Sequence, residues 1–284
     1  MLLGHDKLKK TFTRLVQEGN LFHGYIFFGE KSVGKATFAI SLANLLEFGE
    51  FEEPKESNKK VLTETFVISS REESESIGID AIRDLKRFLY SKPVNSAYRV
   101  AIIDGADMLT NQAQNAILKI SEEPPETGLI IMILENPDSL LKTLQSRFQK
   151  IYFGRASSGD IRNHLMKTLS LGEKEAARIA SLSFGRTGRA ITISSSNEWE
   201  SLSKDAAKFL TGSSSNSVAI IKEIADADNK HKIRPFLTEV ISQACGDSEK
   251  NHLILKSIMK RMTYLGDFNV NKRLQLEAGL IWKI

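Results

Sequence analysis

The apolar positions in the first 153 residues switch between two periods. In residues 6–18, Leu8, Phe12, Leu15 and Val16 recur at helical spacing, and Gly19-Asn20 closes that helix. Residues 24–29 (GYIFFG) form a short apolar run that reads as a buried strand, and 35–48 (KATFAISLANLLEF) reads as an amphipathic helix. Residues 49–62 are charged and poor in hydrophobics, which predicts a surface excursion. The pattern then predicts a strand at 65–68, a helix at 79–90 with Asp80 near its positive end, and a strand at 99–104. A helix over 111–121 stops before Pro124-Pro125. A strand at 129–134, a short helix at 139–145 and a strand at 151–153 complete the series. Near-continuously apolar strands alternating with helices predict an α/β fold with a five-stranded parallel sheet covered on both faces. After Phe153 only helical periodicity remains, with 211–216 as a helix–helix connection. The expected division is therefore an α/β domain over 1–154, a small helical domain over 155–203 and an all-α domain over 204–284.

Bulk composition narrows this picture only a little. Hydrophobic residues are 41% and charged residues 26% of the 284, an ordinary globular balance. A net charge of +4 permits nucleic acid nearby without arguing for it. The single cysteine, Cys245, excludes an intrachain disulfide and a multi-cysteine zinc site, and its place beside Ala244 in an apolar stretch predicts a core position. No apolar run approaches the ~18 residues of a membrane span, and MLLGHDKLKK lacks the basic-then-apolar order of a signal peptide. A cytoplasmic location is expected.

Four places carry candidate chemistry. Residues 29–36 (GEKSVGKA) match a phosphate-binding loop between strand and helix, with its final hydroxyl residue replaced by Ala36. Gly29, Ser32, Val33, Gly34, Lys35, Ala36 and Thr37 are its candidate binding residues. The glycine amides suit a polyphosphate, and Lys35 suits its outer charge. Thr37 is rotated by about 100° from position 36 along the helix, so it is not expected to supply the missing Mg²⁺ ligand. Asp104, at the end of the strand over 99–104, places a carboxylate at the sheet edge beside the loop. The next residue is Gly105, so no side chain there orients a water. Asp107 reads as a cap. Arg147, after the short helix, is the third candidate, and Arg189, which follows Gly185-Arg186-Thr187-Gly188 at a helix start where the glycines can aim it back at the phosphates, is the fourth. The loop, Arg147 and Arg189 also have plain structural readings: a glycine turn, a surface cation at a helix end, and a helix–helix turn with exposed arginines.

The order of these motifs resembles the AAA+ family, and within it the clamp-loader subunits of bacterial DNA polymerase III, the delta-prime branch most. The residues that carry the resemblance are His23-Gly24-Tyr25, the loop at 29–36, and Ile77 to Arg83 (IGIDAIR). Tyr98 to Asp107 (YRVAIIDGAD), Asn115 to Lys119 (NAILK), Glu122-Glu123-Pro124-Pro125, Ser146-Arg147 and the C-terminal stretch 269–277 add to it. It implies an AAA+ P-loop domain with a helical lid and an all-α collar. It also implies that Arg147 is an arginine finger working in trans on a neighbour's nucleotide, and that ATP or ADP is the ligand of the loop. The implied partners are gamma/tau motor subunits and a delta subunit in a five-subunit ring, the sliding clamp, and primed DNA indirectly.

This chain departs from the family's motor subunits at Ala36 and Gly105, where they have a hydroxyl and a glutamate. Ser-Arg-Cys becomes Ser146-Arg147-Phe148. The four zinc-holding cysteines of many relatives are absent from 49–62, so no zinc is expected, no residue is singled out as a metal ligand, and with Ala36 in the loop Mg²⁺ is expected to be held weakly or not at all. Glu135 stands where a polar phosphate sensor is usual. The losses fall on the nucleotide side while Arg147 is kept, the pattern of a stator with little or no ATPase of its own. A gamma/tau-like motor, a P-loop phosphotransferase and a plain scaffold with an empty loop remain as alternatives.

Overall fold

A computed structural model describes residues 3–51, 61–69, 76–195, 197–212, 214–224, 233–245 and 252–267. Its centre is a five-stranded sheet of β1 (Gly24–Phe28), β2 (Thr65–Ser69), β3 (Arg99–Asp104), β4 (Gly128–Leu134) and β5 (Gln149–Tyr152). The strands lie in the order β2-β3-β4-β1-β5, and every pairing is parallel. All seven residues of β4 are buried.

The two-residue period of β4 sorts its side chains onto two cores. Leu129, Ile131 and Ile133 join Tyr25, Phe27, Val100 and Ile102 under α1 (Asp6–Gln17) and α2 (Lys35–Phe48), which contribute Phe12, Phe38 and Leu42. Ile130, Met132 and Leu134 join Ile26, Ala101 and Ile103 on the other face. That face is covered by α3 (Ile79–Leu89) through Ile82, Leu85 and Leu89, and by α4 (Asn111–Glu122) through Ala113, Ile117 and Ile120. Burial on both faces is why these strands read as continuous apolar runs.

Three local expectations need adjustment. The short helix expected over 139–145 is a 3-10 turn, Pro137–Ser139, followed by α5 (Lys142–Gln145). The fifth strand begins at Gln149, earlier than its apolar residues indicate, because an edge strand tolerates the exposed Gln149 and Lys150. Cys245 is exposed at the end of α11 (Ile233–Cys245); the buried member of that pair is Ala244.

The chain divides into two compact units, residues 1–191 and 192–284. The first holds the sheet with α6 (Ser158–Leu169) and α7 (Glu173–Ser183), and α8 (Thr187–Ser195) runs across the division. The second contains α9 (Asn197–Thr211), α10 (Ser214–Ile224), α11 and α12 (His252–Asp267). Within it α9 and α11 meet through Phe209 and Phe236, edge to face at 5.5 Å. Ser203 also donates to Glu239 at 2.9 Å. The stretch 269–277, most of the cysteine-free excursion at 49–62, and Ser213 in the 211–216 connection lie outside the described residues. Among the described residues no helix is long and apolar enough to cross a membrane.

Candidate functional site

The loop after β1 has the backbone a phosphate cradle needs. Gly29 has φ +138°, and a Cβ there would sit 2.4 Å from the Phe153 carbonyl oxygen, so no larger residue fits. Gly34 is left-handed at φ +102° and opens α2, which has no side-chain cap and no acidic residue in its first turn. The first helical bond runs from the Phe38 amide to the Gly34 carbonyl at 2.9 Å, so the amides of Lys35, Ala36 and Thr37 have no partner within the helix. An uncapped helix start of this kind favours anions. Lys35 is 8% exposed, and its ammonium donates to the carbonyls of Gly29 at 2.5 Å and Glu30 at 2.7 Å. Burial lowers its pKa, while Glu135, Asp107 and Asp104 act in the opposite sense.

A cleft of about 270 Å³ lies over this loop. Ser32, Gly34, Lys35, Ala36, Thr37 and Asp104 line it, as do Lys31, Gly105, Asp107, Glu135, Thr187 and Gly188. Parallel pairing sets the far wall: Asp104 stands beside Ile133, and Phe28 beside Leu134, so the ends of β1, β3 and β4 converge. Burial raises the pKa of Asp104, opposed first by Lys35 and then by the Gly105 amide. Gly105 is left-handed, with φ +85° and ψ +39°. The Asp107 carboxylate accepts from the Glu135 amide at 3.2 and 3.3 Å and from the Ser139 hydroxyl at 3.2 Å, so it braces the turn after β4. The Glu135 carboxylate pairs with Lys31 at 3.5 Å.

The start of α8 closes the cleft through Thr187 and Gly188, and arginines before it brace the loop. The Gly188 amide donates to the Ser32 carbonyl at 2.8 Å. Arg155 forks onto Glu30, with Nε at 3.1 and 3.0 Å and Nη2 at 2.5 Å, and Arg186 stands 4.0 Å away. The bond from Arg155 chiefly holds the Glu30 carboxyl below the usual carboxylate range. Arg189 does not line the cleft; its guanidinium lies over the Phe184 ring, 5.6 Å from the centroid. The adjacent Gly188 faces the loop instead, and one helical step turns Arg189 by about 100° from it. Val33 also turns inward, buried beneath the loop, where its carbonyl bonds with Nε2 of His5 at 2.8 Å.

A polyphosphate fits the donors around this cleft. The α2 amides, Lys35 and the Thr187 hydroxyl, which is buried without a hydrogen-bond partner, all border the same cleft. Its volume of about 270 Å³ falls just below the ~300–1,000 Å³ usual for ligand pockets. The charged side chains lining it are Lys31 and Lys35 against Asp104, Asp107 and Glu135, so cations hold no majority there. Among the described residues no three His, Cys, Asp or Glu side chains converge to hold a metal.

Arg147 lies apart from these lining residues, just after α5, with its side chain 37% exposed. Its Nη1 donates to the Thr143 carbonyl at 2.9 Å, and its Nη2 lies 3.3 Å from Oε1 of Glu122. The next residue, Phe148, is buried against Gly24, where an added Cβ would stand 2.3 Å from the ring. Burial lowers the pKa of His23, opposed by a backbone hydrogen bond with Arg147.

The family model described as "DNA polymerase III, delta subunit" matches residues 4–157, more than half of the chain. The chain belongs to this family. It is a bacterial DNA polymerase III clamp-loader subunit of the AAA+ class. The gamma/tau subunit of DNA polymerase III from Mycoplasma pneumoniae is 29% identical over 185 residues, 62% of this chain and 26% of that protein. The tau subunit from Bacillus subtilis is 29% identical over 175 residues, 58% of this chain and 31% of that protein. The chain thus spans less than a third of these two relatives. By fold, it resembles a gamma subunit-related protein from Thermotoga maritima at TM-score 0.57 and 19% identity, covering 96% of this chain and 98% of that one. The Holliday junction branch migration motor RuvB from the same organism gives TM-score 0.51 and 16% identity, over 99% of this subunit and 85% of RuvB.

Proposed function

We propose that this subunit is a delta-prime-type stator of the clamp loader. It lends Arg147 to the nucleotide of a neighbouring gamma/tau motor subunit and turns over little or no ATP in its own cleft. The observation that carries this reading is the backbone at Gly105. The residue beside Asp104 lacks the carboxylate that would orient an attacking water, and it also holds a left-handed conformation that costs an L-residue about 1–2 kcal/mol. Ala36 removes the hydroxyl that would hold Mg²⁺. Arg147, by contrast, is exposed, and it is anchored by the buried Phe148 that follows it.

ATP or ADP is the ligand this cleft would accept, with phosphates on the amides of Lys35, Ala36 and Thr37 and on the Lys35 ammonium. The implied partners are the gamma/tau motor subunits, a delta subunit, the sliding clamp and, through the assembly, primed DNA, all in the cytoplasm. The helices after residue 203 are assigned to the collar that holds the ring, and those over 155–203 to the lid, with α9 spanning that boundary.

The test is reconstitution with motor and delta subunits, followed by mass measurement and clamp-stimulated ATPase. A complex that assembles with this chain and loses hydrolysis when Arg147 becomes Ala supports the reading. A second reading, a gamma/tau-like motor, draws on the uncapped α2 and the Lys35 cradle. Turnover by the isolated chain that disappears with Lys35→Ala would favour it.

A further inference from the structure

We propose that Glu122 is a positioning residue for Arg147, holding its guanidinium in a set orientation at the surface before a neighbour's nucleotide arrives. The inference rests on the finger role proposed above.

The two residues come from different elements. Glu122 is the last residue of α4, and Arg147 is two residues beyond the end of α5. Both elements are anchored from below. Thr110 caps α4 by accepting from the Ala113 amide, and Ile117 and Ile120 fix its inner face. The Tyr90 hydroxyl donates to the Glu123 carbonyl at 2.8 Å, just past the helix. On the other side, Leu144 and Phe148 are buried around Arg147, and the Arg147 amide bonds to the Leu144 carbonyl at 3.1 Å. Arg147 therefore rises from a fixed base toward a glutamate whose backbone is also anchored.

A guanidinium has five N–H donors. The contacts with Thr143 and Glu122 engage one on Nη1 and one on Nη2, which leaves the remainder for an incoming anion. A charge-assisted contact of this kind restricts the planar group to a few orientations. An exposed arginine without it would spend rotamer entropy at the moment of engagement. Glu122 opens the Glu122-Glu123-Pro124-Pro125 passage, so the geometry assigns a physical task to that residue. The side chains are 49% and 37% exposed, which sets the scale of the effect at that of a surface ion pair.

The experiment reconstitutes the full complex with motor and delta subunits and compares Arg147→Ala, Glu122→Ala, Glu122→Gln and the Arg147→Ala/Glu122→Ala pair. Mass confirms assembly, and kcat and KM for ATP are read separately. Glu122→Ala should lower kcat about two- to fivefold, the range of an exposed pair, with KM unchanged. Glu122→Gln, which keeps an acceptor oxygen, should recover most of the rate. The double variant should be no slower than Arg147→Ala alone, because a positioning residue has nothing left to position.

Three results would overturn the proposal while leaving the finger reading standing. They are a wild-type kcat for Glu122→Ala beside a depressed Arg147→Ala, a further loss from Glu122→Ala in the Arg147→Ala background, and failure of Glu122→Ala to assemble. Full activity of Arg147→Ala would overturn both.

Discussion

The Gly188 amide donates to the Ser32 carbonyl at 2.8 Å, tying the start of α8 to the phosphate loop. A Cβ at 188 would stand 3.2 Å from the Ser32 Cβ and carbonyl oxygen and 3.4 Å from its Cα. Gly188→Ala therefore asks the loop to yield by a few tenths of an ångström. The expected outcome is a folded protein with Tm lower by about 2–4 °C, the shift that ~1 kcal/mol produces in a domain of this size. The amide at 188 should also exchange hydrogen faster. Unchanged protection at that amide would show that the contact does not restrain the loop.

Gly24 and Phe148 form a second tight pair. A methyl at 24 would meet the buried Phe148 ring at 2.3 Å, so Gly24→Ala overpacks the core and should cost about 1–3 kcal/mol in thermal unfolding. Because the ring that must move follows Arg147 directly, the ATPase of the assembled complex should fall as well. Replacing Phe148 with the smaller Cys in the same chain should recover stability relative to Gly24→Ala alone. No recovery would mean that the strain is elsewhere.

Glu30 gives a pH signature. Its carboxyl is held below the ordinary range, chiefly by the Arg155 hydrogen bond, and Arg186 and Lys35 add to that effect. A folded pKa below the unfolded one adds stability above the unfolded value of about 4.3. That stability is lost as pH falls through the folded value. Glu30→Gln should therefore show a shallower decline of Tm between about pH 6 and 3 than the parent protein. The difference should be small and should shrink in salt, since both partners are about half exposed. Parallel declines would remove Glu30 from the account.

Restoring the two missing groups should not restore hydrolysis. The Ala36→Thr/Gly105→Glu chain regains the hydroxyl and the carboxylate, but Glu at 105 inherits φ +85°. Stability should drop by about 1–2 kcal/mol, with ATP turnover by the isolated chain staying at background. Robust turnover would show that the cleft retains a working geometry and would favour the motor reading.

The sheet was legible because β1, β3 and β4 are buried on both faces, which leaves an unbroken apolar run for each. The phosphate loop was legible because glycines at 29 and 34 meet local backbone demands. β5 was only half legible, since Gln149 and Lys150 on an edge carry no apolar signal. The α8 side of the cleft was hidden for a different reason. Thr187 and Gly188 reach the loop through tertiary docking, and nothing local distinguishes Gly188, which faces Ser32, from Arg189, which lies over Phe184. The expectation that Arg189 turns to the phosphates followed charge, whereas helical phase decides which side chain faces inward. The Glu122–Arg147 pair was invisible for the same reason: its partners are joined by the fold, across β4 and α5.

The central claim is that Arg147 works in another subunit's site. It is tested most directly by ATP hydrolysis in the fully assembled clamp loader carrying Arg147→Ala, with assembly verified by mass. An arginine finger is typically worth on the order of 10³-fold or more in kcat at the site it serves. The site next to this chain should therefore fall nearly silent, and the clamp-stimulated rate should drop by the share that site carries, with the complex intact. A complex of normal mass that hydrolyses ATP at the full parental rate would contradict the account.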